Sequence, residues 1–209
     1  MADAWTTIAT ERGALADDLA TLTPSQWDTP SLCAGWTVRD IVAHLCATAS
    51  LNPAKFFLGM AGAGFNFEKF AKGQLAKHRG ADPAETLQKF RSLQHSTSAP
   101  PGPKVSWLGE IVIHGADVRT PLGISHTYAP GTVRQVIDFY QGSNLLIGAK
   151  RRVSGLALEA TDDDWKHGQG QPVQGPLLAL LLATTGRAAG CDDLTGPGVQ
   201  ILRSRCAPT

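Results

Sequence analysis

Trp107-Leu-Gly-Glu-Ile-Val-Ile-His-Gly-Ala-Asp-Val-Arg119 is the stretch on which the reading of this chain turns. It reads as a helix from about Val105 to Thr120, stopped by Pro121 and Gly123. Glu110 and His114 stand four apart in it, so they share one face with Cβ atoms roughly 5–6 Å apart. A single metal ion could hold a carboxylate oxygen from one and an imidazole nitrogen from the other. The bland alternative is a surface Glu–His pair worth a few tenths of a kcal/mol. It fits poorly, because Trp107, Leu108, Ile111, Val112 and Ile113 surround the pair with apolar groups. Either residue turned inward would need a partner. Asp117, three residues after His114, lies on the same side. It is placed to accept the other N–H of a ligating imidazole.

A third ligand is available upstream. Thr37-Val-Arg-Asp40 has the form of a helix start, with Asp where Glu or Gln is usual. Ile41, Leu45 and Thr48 then share a face with His44. An imidazole on an inward apolar face is also the ordinary reading of a satisfied core histidine. With Glu110 and His114 beside it, His44 would complete a set of three N/O ligands from two helices. Such a set leaves a coordination position open, as in catalytic zinc.

Working outward, the pattern is mainly helical. A first helix is expected from about Ala4 to Thr21, with Trp5, Ile8, Ala9, Leu15 and Leu19 at helical spacing. Thr23 to Trp36 reads as an ordered loop anchored by Trp27 and Trp36. Asn52-Pro53 and Asp82-Pro83-Ala84-Glu85 open two further helices, the second ending near Gln94, and a polar–apolar helix falls between them from about Asn66 to His78. Pro130 to Ser143 is another helix. Val153 to Thr161 alternates with period two and predicts a strand. Asp162 to Gln171 is turn-rich, Gly175 to Gly186 is a short apolar helix, and Val199 to Arg203 is helix or strand. The expected division is a helical bundle over residues 1–148 and a small α/β appendage over 149–209.

The 19 basic and 18 acidic residues nearly cancel, with no basic run interleaved with aromatics, so no nucleic-acid partner is expected. The longest apolar segment, Pro176 to Thr184, is too short for the roughly 18–20 residues of a membrane span. Met-Ala-Asp-Ala-Trp-Thr-Thr lacks the pattern of a signal peptide. A cytoplasmic protein without a membrane partner is therefore expected, as monomer or homodimer. Cys33, Cys46, Cys191 and Cys206 form no Cys-x-x-Cys pair, and the plain reading is thiols that stay reduced. Neither a P-loop nor a Gly-x-Ser-x-Gly elbow is present. His78 is read as a cation at a helix end, and His95, His126 and His167 as solvated loop or turn residues.

Leu32-Cys-Ala-Gly-Trp-Thr-Val-Arg-Asp-Ile-Val-Ala-His44 resembles the signature of the mycothiol-dependent maleylpyruvate isomerase family, part of the DinB-like superfamily. The segment Glu110 to Arg119 resembles that family's second motif. Gly175-Pro-Leu-Leu-Ala-Leu-Leu-Leu-Ala-Thr-Thr-Gly-Arg187 resembles its C-terminal portion. The resemblance implies a DinB-like four-helix bundle. It also implies a divalent metal, zinc first with nickel, cobalt or manganese as alternatives, on His44, Glu110 and His114. Mycothiol, the low-molecular-weight thiol of actinobacteria, is the implied cosubstrate. Superfamily relatives with three histidines have His where this chain has Glu110, and a carboxylate makes the site harder.

The function expected on this basis is a mycothiol-dependent S-transferase or isomerase, in which a metal-bound thiolate attacks a small electrophilic substrate. Asp117 and Arg187 are assigned to catalysis, with Arg187 and Asn66 as candidate binding residues for the cosubstrate. Arg187 can pair bidentately with a carboxylate, or simply be a helix-end charge. A metal-dependent hydrolase, or a non-catalytic metal- or ligand-binding module, are the alternative readings of the same residues.

Overall fold

Helix α1 (Ala4–Ala20) turns Ile8, Leu15 and Leu19 into the core at the spacing the sequence predicts. The computed structural model describes residues 3–129, 131–144 and 147–206. The same helix buries Glu11 and Arg12, and each is matched. Arg12 Nη1 donates to the carbonyls of Leu93 (3.1 Å) and Ser96 (2.7 Å). Glu11 Oε2 lies 2.7 Å from His126 Nε2. His126 is therefore a side-chain partner of Glu11 within the fold rather than a solvated loop residue.

The segment Thr23–Trp36, expected as a loop, contains a 3-10 turn at Pro24–Asp28 that buries Trp27. The Ser31 N–H donates to the Trp36 carbonyl at 2.8 Å, and Pro30 bridges Thr37. Helix α2 (Val38–Ser50) starts on Thr37. Its hydroxyl accepts the Asp40 N–H (3.2 Å), and the Asp40 carboxylate accepts the Thr37 N–H (3.0 Å). The shorter Asp thus fills the place of Glu in a capping box.

Helices α3 (Pro53–Gly62), α4 (Phe67–His78) and α5 (Pro83–Ser92) each begin on a side-chain cap, from Asn52, Asn66 and Asp82. Helix α6 (Lys104–Arg119) is buried along most of its length and packs on α1 and α2. Together α1, α2, α5 and α6 form the bundle. Helix α4 lies on α2, while α3 buries no residue and contacts α4. His78, expected as a solvated helix-end cation, is buried at 4 % exposure. Burial disfavours the cation and pushes its pKa down to about 4, aided by Lys89 and Lys77.

The second compact unit follows His126 and includes Leu32–Ala34. This division falls earlier than the expected one after residue 148. The reason is helix α7 (Thr132–Gln141), which packs on α9 (Leu177–Thr184) of its own unit. Its Asp138 carboxylate accepts the indole N–H of Trp165 at 2.7 Å. Pro130, the expected start of that helix, lies outside the described residues.

A short helix α8 (Ala149–Arg152) leads into β1 (Leu156–Ala160), the core of the predicted strand, whose alternate residues are buried. The stretch expected to be turn alone holds β2 (Lys166–Gly168), antiparallel to β1. Strand β3 (Gln171–Gly175) runs parallel to β1, so the order is β2-β1-β3. Pro172 is tolerated because β3 is an edge strand. The tail resolves as helix α10 (Val199–Ser204). The chain is thus mainly helical with a small C-terminal sheet. Among the described residues no single helix is long and apolar enough to cross a membrane.

Candidate metal centre

Three side chains on α2 and α6 converge. His44 Nε2 lies 2.9 Å from Glu110 Oε2, and His114 Nε2 lies 3.5 Å from the same oxygen. One ligand atom from each of the three falls within 4.8 Å of the others. The two imidazoles meet edge to face, centroids 4.9 Å apart. Helical periodicity puts Glu110 and His114 on one face, and the packing of α2 on α6 supplies His44.

The spacing tests whether a metal fits. Tetrahedral N/O ligands at 2.0–2.2 Å from a zinc ion stand about 3.4 Å from one another. The observed separations bracket that value. Two imidazoles and one carboxylate also make a donor set suited to zinc and to neighbouring first-row divalent ions. The residues therefore fit a divalent cation.

His114 is held from behind. Its Nδ1 is 2.8 Å from Asp117 Oδ2, and Asp117 is completely buried. The Nδ1–H donated to this carboxylate leaves Nε2 facing the cluster. Without a cation, burial works against the His114 imidazolium. The hydrogen bonds to Asp117 and Glu110 outweigh it, and the pKa rises to about 9. Burial likewise works against the Glu110 carboxylate. Hydrogen bonds from His114 and His44 reverse that and hold its pKa well below the usual carboxylate range.

Other neighbours complete the surroundings, and of these Arg12 carried no signal in the sequence. Trp36 packs against His44, centroids 5.2 Å apart, which gives the Gly35-Trp36-Thr37 segment a role beyond anchoring a loop. A small pocket beside Glu110, with a volume of 10 Å³, is lined by Arg12, Thr48 and Trp107 among others. That is room for about one water. Burial lowers Arg12 to about 10, so it stays cationic at neutral pH. An arginine in the middle of α1 looks like any surface residue until the fold buries it.

The other expected site residues are placed as follows. Asn66 is exposed at the start of α4, where its Oδ1 accepts the Lys69 N–H at 2.9 Å. Arg187 belongs to the second unit, just before the 3-10 segment Ala188–Asp193. Its Nη1 donates to the Thr185 carbonyl at 3.0 Å.

Residues 8–101 match the family described as "Mycothiol maleylpyruvate isomerase N-terminal domain". The match includes His44 and ends before Glu110. Two solved structures share the fold over nearly the whole chain. One is the crystal structure of a histidine-to-alanine mutant of the mycothiol-dependent maleylpyruvate isomerase. It is 15% identical, with a TM-score of 0.62 over 93% of this chain and 91% of that one. The other is the crystal structure of the mycothiol-dependent maleylpyruvate isomerase, 14% identical with a TM-score of 0.61 over the same shares. Comparison with curated protein sequences gives no match.

Proposed function

We propose that this chain, whose residues 8–101 match the family described as "Mycothiol maleylpyruvate isomerase N-terminal domain", is a divalent-metal-dependent thiol S-transferase or isomerase using mycothiol. The observation that carries the reading is the convergence of His44, Glu110 and His114 in a chain that shares the fold of that isomerase. Zinc is the first choice of metal, since the three donors and an open position match its catalytic sites. A bound divalent cation would lower the pKa of a coordinated thiol, making thiolate available at neutral pH.

The chain's own residues do the rest. Asp117 holds the His114 ring by its Nδ1–H and so acts as a positioning residue. Trp36 walls the His44 side. Arg12 keeps a positive charge beside Glu110 at neutral pH. The thiolate sulfur adds to an electrophilic carbon of the substrate. Rotation about the new single bond and loss of the thiol give isomerisation, while departure of a leaving group gives transfer. Arg187 is assigned to an anionic group of the substrate or cosubstrate. Asn66, whose oxygen caps α4, is assigned a weaker role through its amide donor.

The test is metal analysis of the purified protein beside a His44→Ala, Glu110→Ala double variant. The wild-type chain should hold close to one equivalent and the double variant none; equal contents refute the site. Titrating mycothiol into the cobalt-loaded protein should then raise a thiolate-to-metal absorption band. Metal retention without that band, together with turnover that needs no thiol, would replace the transferase with a hydrolase.

A further inference from the structure

Helix α3 and the start of α4 hold apolar side chains that neither the bundle nor the proposed chemistry uses. Phe57, Leu58, Phe65 and Phe67 are between 60 and 76 % exposed, and they are four of the five large exposed hydrophobic residues among those described. Isolated apolar groups on a surface are ordinary, but a contiguous patch is not. These are contiguous. Phe57 meets Phe56 edge to face with centroids 5.5 Å apart, Phe56 meets Phe70 at 5.4 Å, and Phe67 tilts against Phe70 at 6.4 Å. Phe70 is buried and forms the floor, while Phe57 and Phe67 are the open ends.

Phe65 stands in the turn between the two helices. Its φ of 58° lies in the left-handed region, where a bulky side chain is rare and costly. Gly64 before it is left-handed too, and the Phe65 N–H donates to the Met60 carbonyl at 2.8 Å. The turn thus accepts backbone strain to hold a ring that gains little packing within the chain.

The charge around this patch is one-sided. Between Pro53 and His78 stand Lys55, Lys69, Lys72 and Lys77, all exposed, against Glu68 alone, which Lys72 pairs at 2.7 Å. Four lysines less one carboxylate is a net of +3, in a chain whose total is +1. An interfacial segment needs this combination. Apolar groups enter the acyl boundary, and long lysine stems carry their ammonium groups to anionic headgroups.

We infer that α3 and the start of α4 form a peripheral docking surface for a membrane of anionic lipid. A second copy of the chain suits the patch less well. A two-fold contact sets a surface against itself, which would bring these lysines together with only Glu68 to offset them. Nor is the segment part of a broken span: α3 bends by 115° from α2, and α2 is buried in the bundle. The expectation of no membrane partner came from the lack of a spanning segment, and an interfacial surface needs none. His44, Glu110 and His114 lie on other helices, so the surface does not depend on the metal centre.

The test is co-sedimentation of the full chain with vesicles of phosphatidylcholine alone and of phosphatidylcholine mixed with phosphatidylglycerol. The chain should pellet with the anionic vesicles, stay in the supernatant with the neutral ones, and be released as salt screens the headgroups. The double variant Phe57→Ser, Phe65→Gly should lower the partition coefficient by about tenfold or more, through the apolar area it removes. Glycine also relieves the left-handed strain at 65. This variant should therefore keep the wild-type urea midpoint, and its loss of binding would not be a loss of fold. Lys69→Glu with Lys72→Glu should abolish the preference for anionic vesicles. No pelleting with anionic vesicles, equal pelleting with both kinds, or unchanged binding by the Phe57→Ser, Phe65→Gly variant would each overturn the inference. So would a concentration-dependent dimer in sedimentation velocity that the same variant abolishes while vesicles leave the chain in solution. The patch would then be an interface between copies.

Discussion

Two histidines of the first unit, His78 fully buried and His114 largely so, titrate in opposite directions. His78, at the end of α4, has no hydrogen-bond partner on Nδ1 among the described residues, and burial pushes it down to about 4. His114, in the middle of α6, faces Asp117 on one nitrogen and Glu110 on the other, and rises to about 9. His78 shows what this fold does with a histidine that merely needs shelter: it strips the charge. Two carboxylates around His114 are more than packing demands, because buried carboxylates carry their own desolvation cost. The surplus negative charge marks the place for a cation.

The largest effect expected from this contrast is on metal retention. Glu110→Ala removes a charged donor that lies against both imidazoles, and the purified variant should hold no measurable metal. His78→Gln, at the other buried histidine, should leave the metal content at the wild-type value. Metal loss in both variants would mean that folding of the bundle, and not the donor set, controls binding.

Asp117→Asn is the next step down. Asn keeps the shape but can present its NH₂ or only a neutral oxygen to His114 Nδ1. Loss of the partner of a ligating histidine typically lowers metal affinity by about 10–100-fold. Competition with a chromophoric chelator would measure it. An unchanged affinity would reduce Asp117 to a buried charge paired with a histidine for structural reasons.

The two histidines also predict different pH windows for the metal-free protein. His78 binds its proton less well folded than unfolded. It therefore costs no stability above its ordinary 6.5, and stability falls as pH drops from there toward about 4. His114 binds its proton more tightly when folded. Its contribution is complete below 6.5 and is lost as pH rises through about 9. Urea denaturation against pH should show both limbs, with the acid limb flattened in His78→Gln. Since a ligating imidazole must give up its Nε2 proton, metal affinity should also climb by about tenfold per pH unit up to the His114 pKa. A pH-independent affinity would mean that His114 is not displaced from its proton on binding.

What the sequence shows of this site is what local periodicity can carry. The i, i+4 and i+7 positions of Glu110, His114 and Asp117 share a helical face in any right-handed helix. The capped start at Thr37 likewise sets which face His44 occupies. Partners contributed by other elements leave no such trace. Arg12 lies on α1 and its carbonyl acceptors on the chain after α5, so its burial is a property of packing. The same holds for the depressed His78. In the second unit, β1 is legible because its burial alternates, whereas β2 is an exposed Lys-His-Gly and β3 contains Pro and Gly. Their strand character comes from pairing with β1, not from their own composition.

The smallest predicted effect probes how His44 is held. Thr37 and Asp40 satisfy each other's backbone N–H at the start of α2, and the Thr37 hydroxyl also donates to the Asp40 carboxylate at 2.8 Å. Thr37→Ala removes the acceptor for the Asp40 N–H and should cost about 1 kcal/mol in urea denaturation, while Thr37→Ser should restore most of it. His44 lies about two turns further along, where Ile41, Leu45 and Cys46 are packed in the core. Fraying of the first turn should not reach it, so the metal affinity of Thr37→Ala should match wild type. If affinity fell by more than the stability loss accounts for, the capped turn, with Trp36 immediately before it, would be setting the ring position. His44 would then be held by the chain entering its helix more than by the core beneath it.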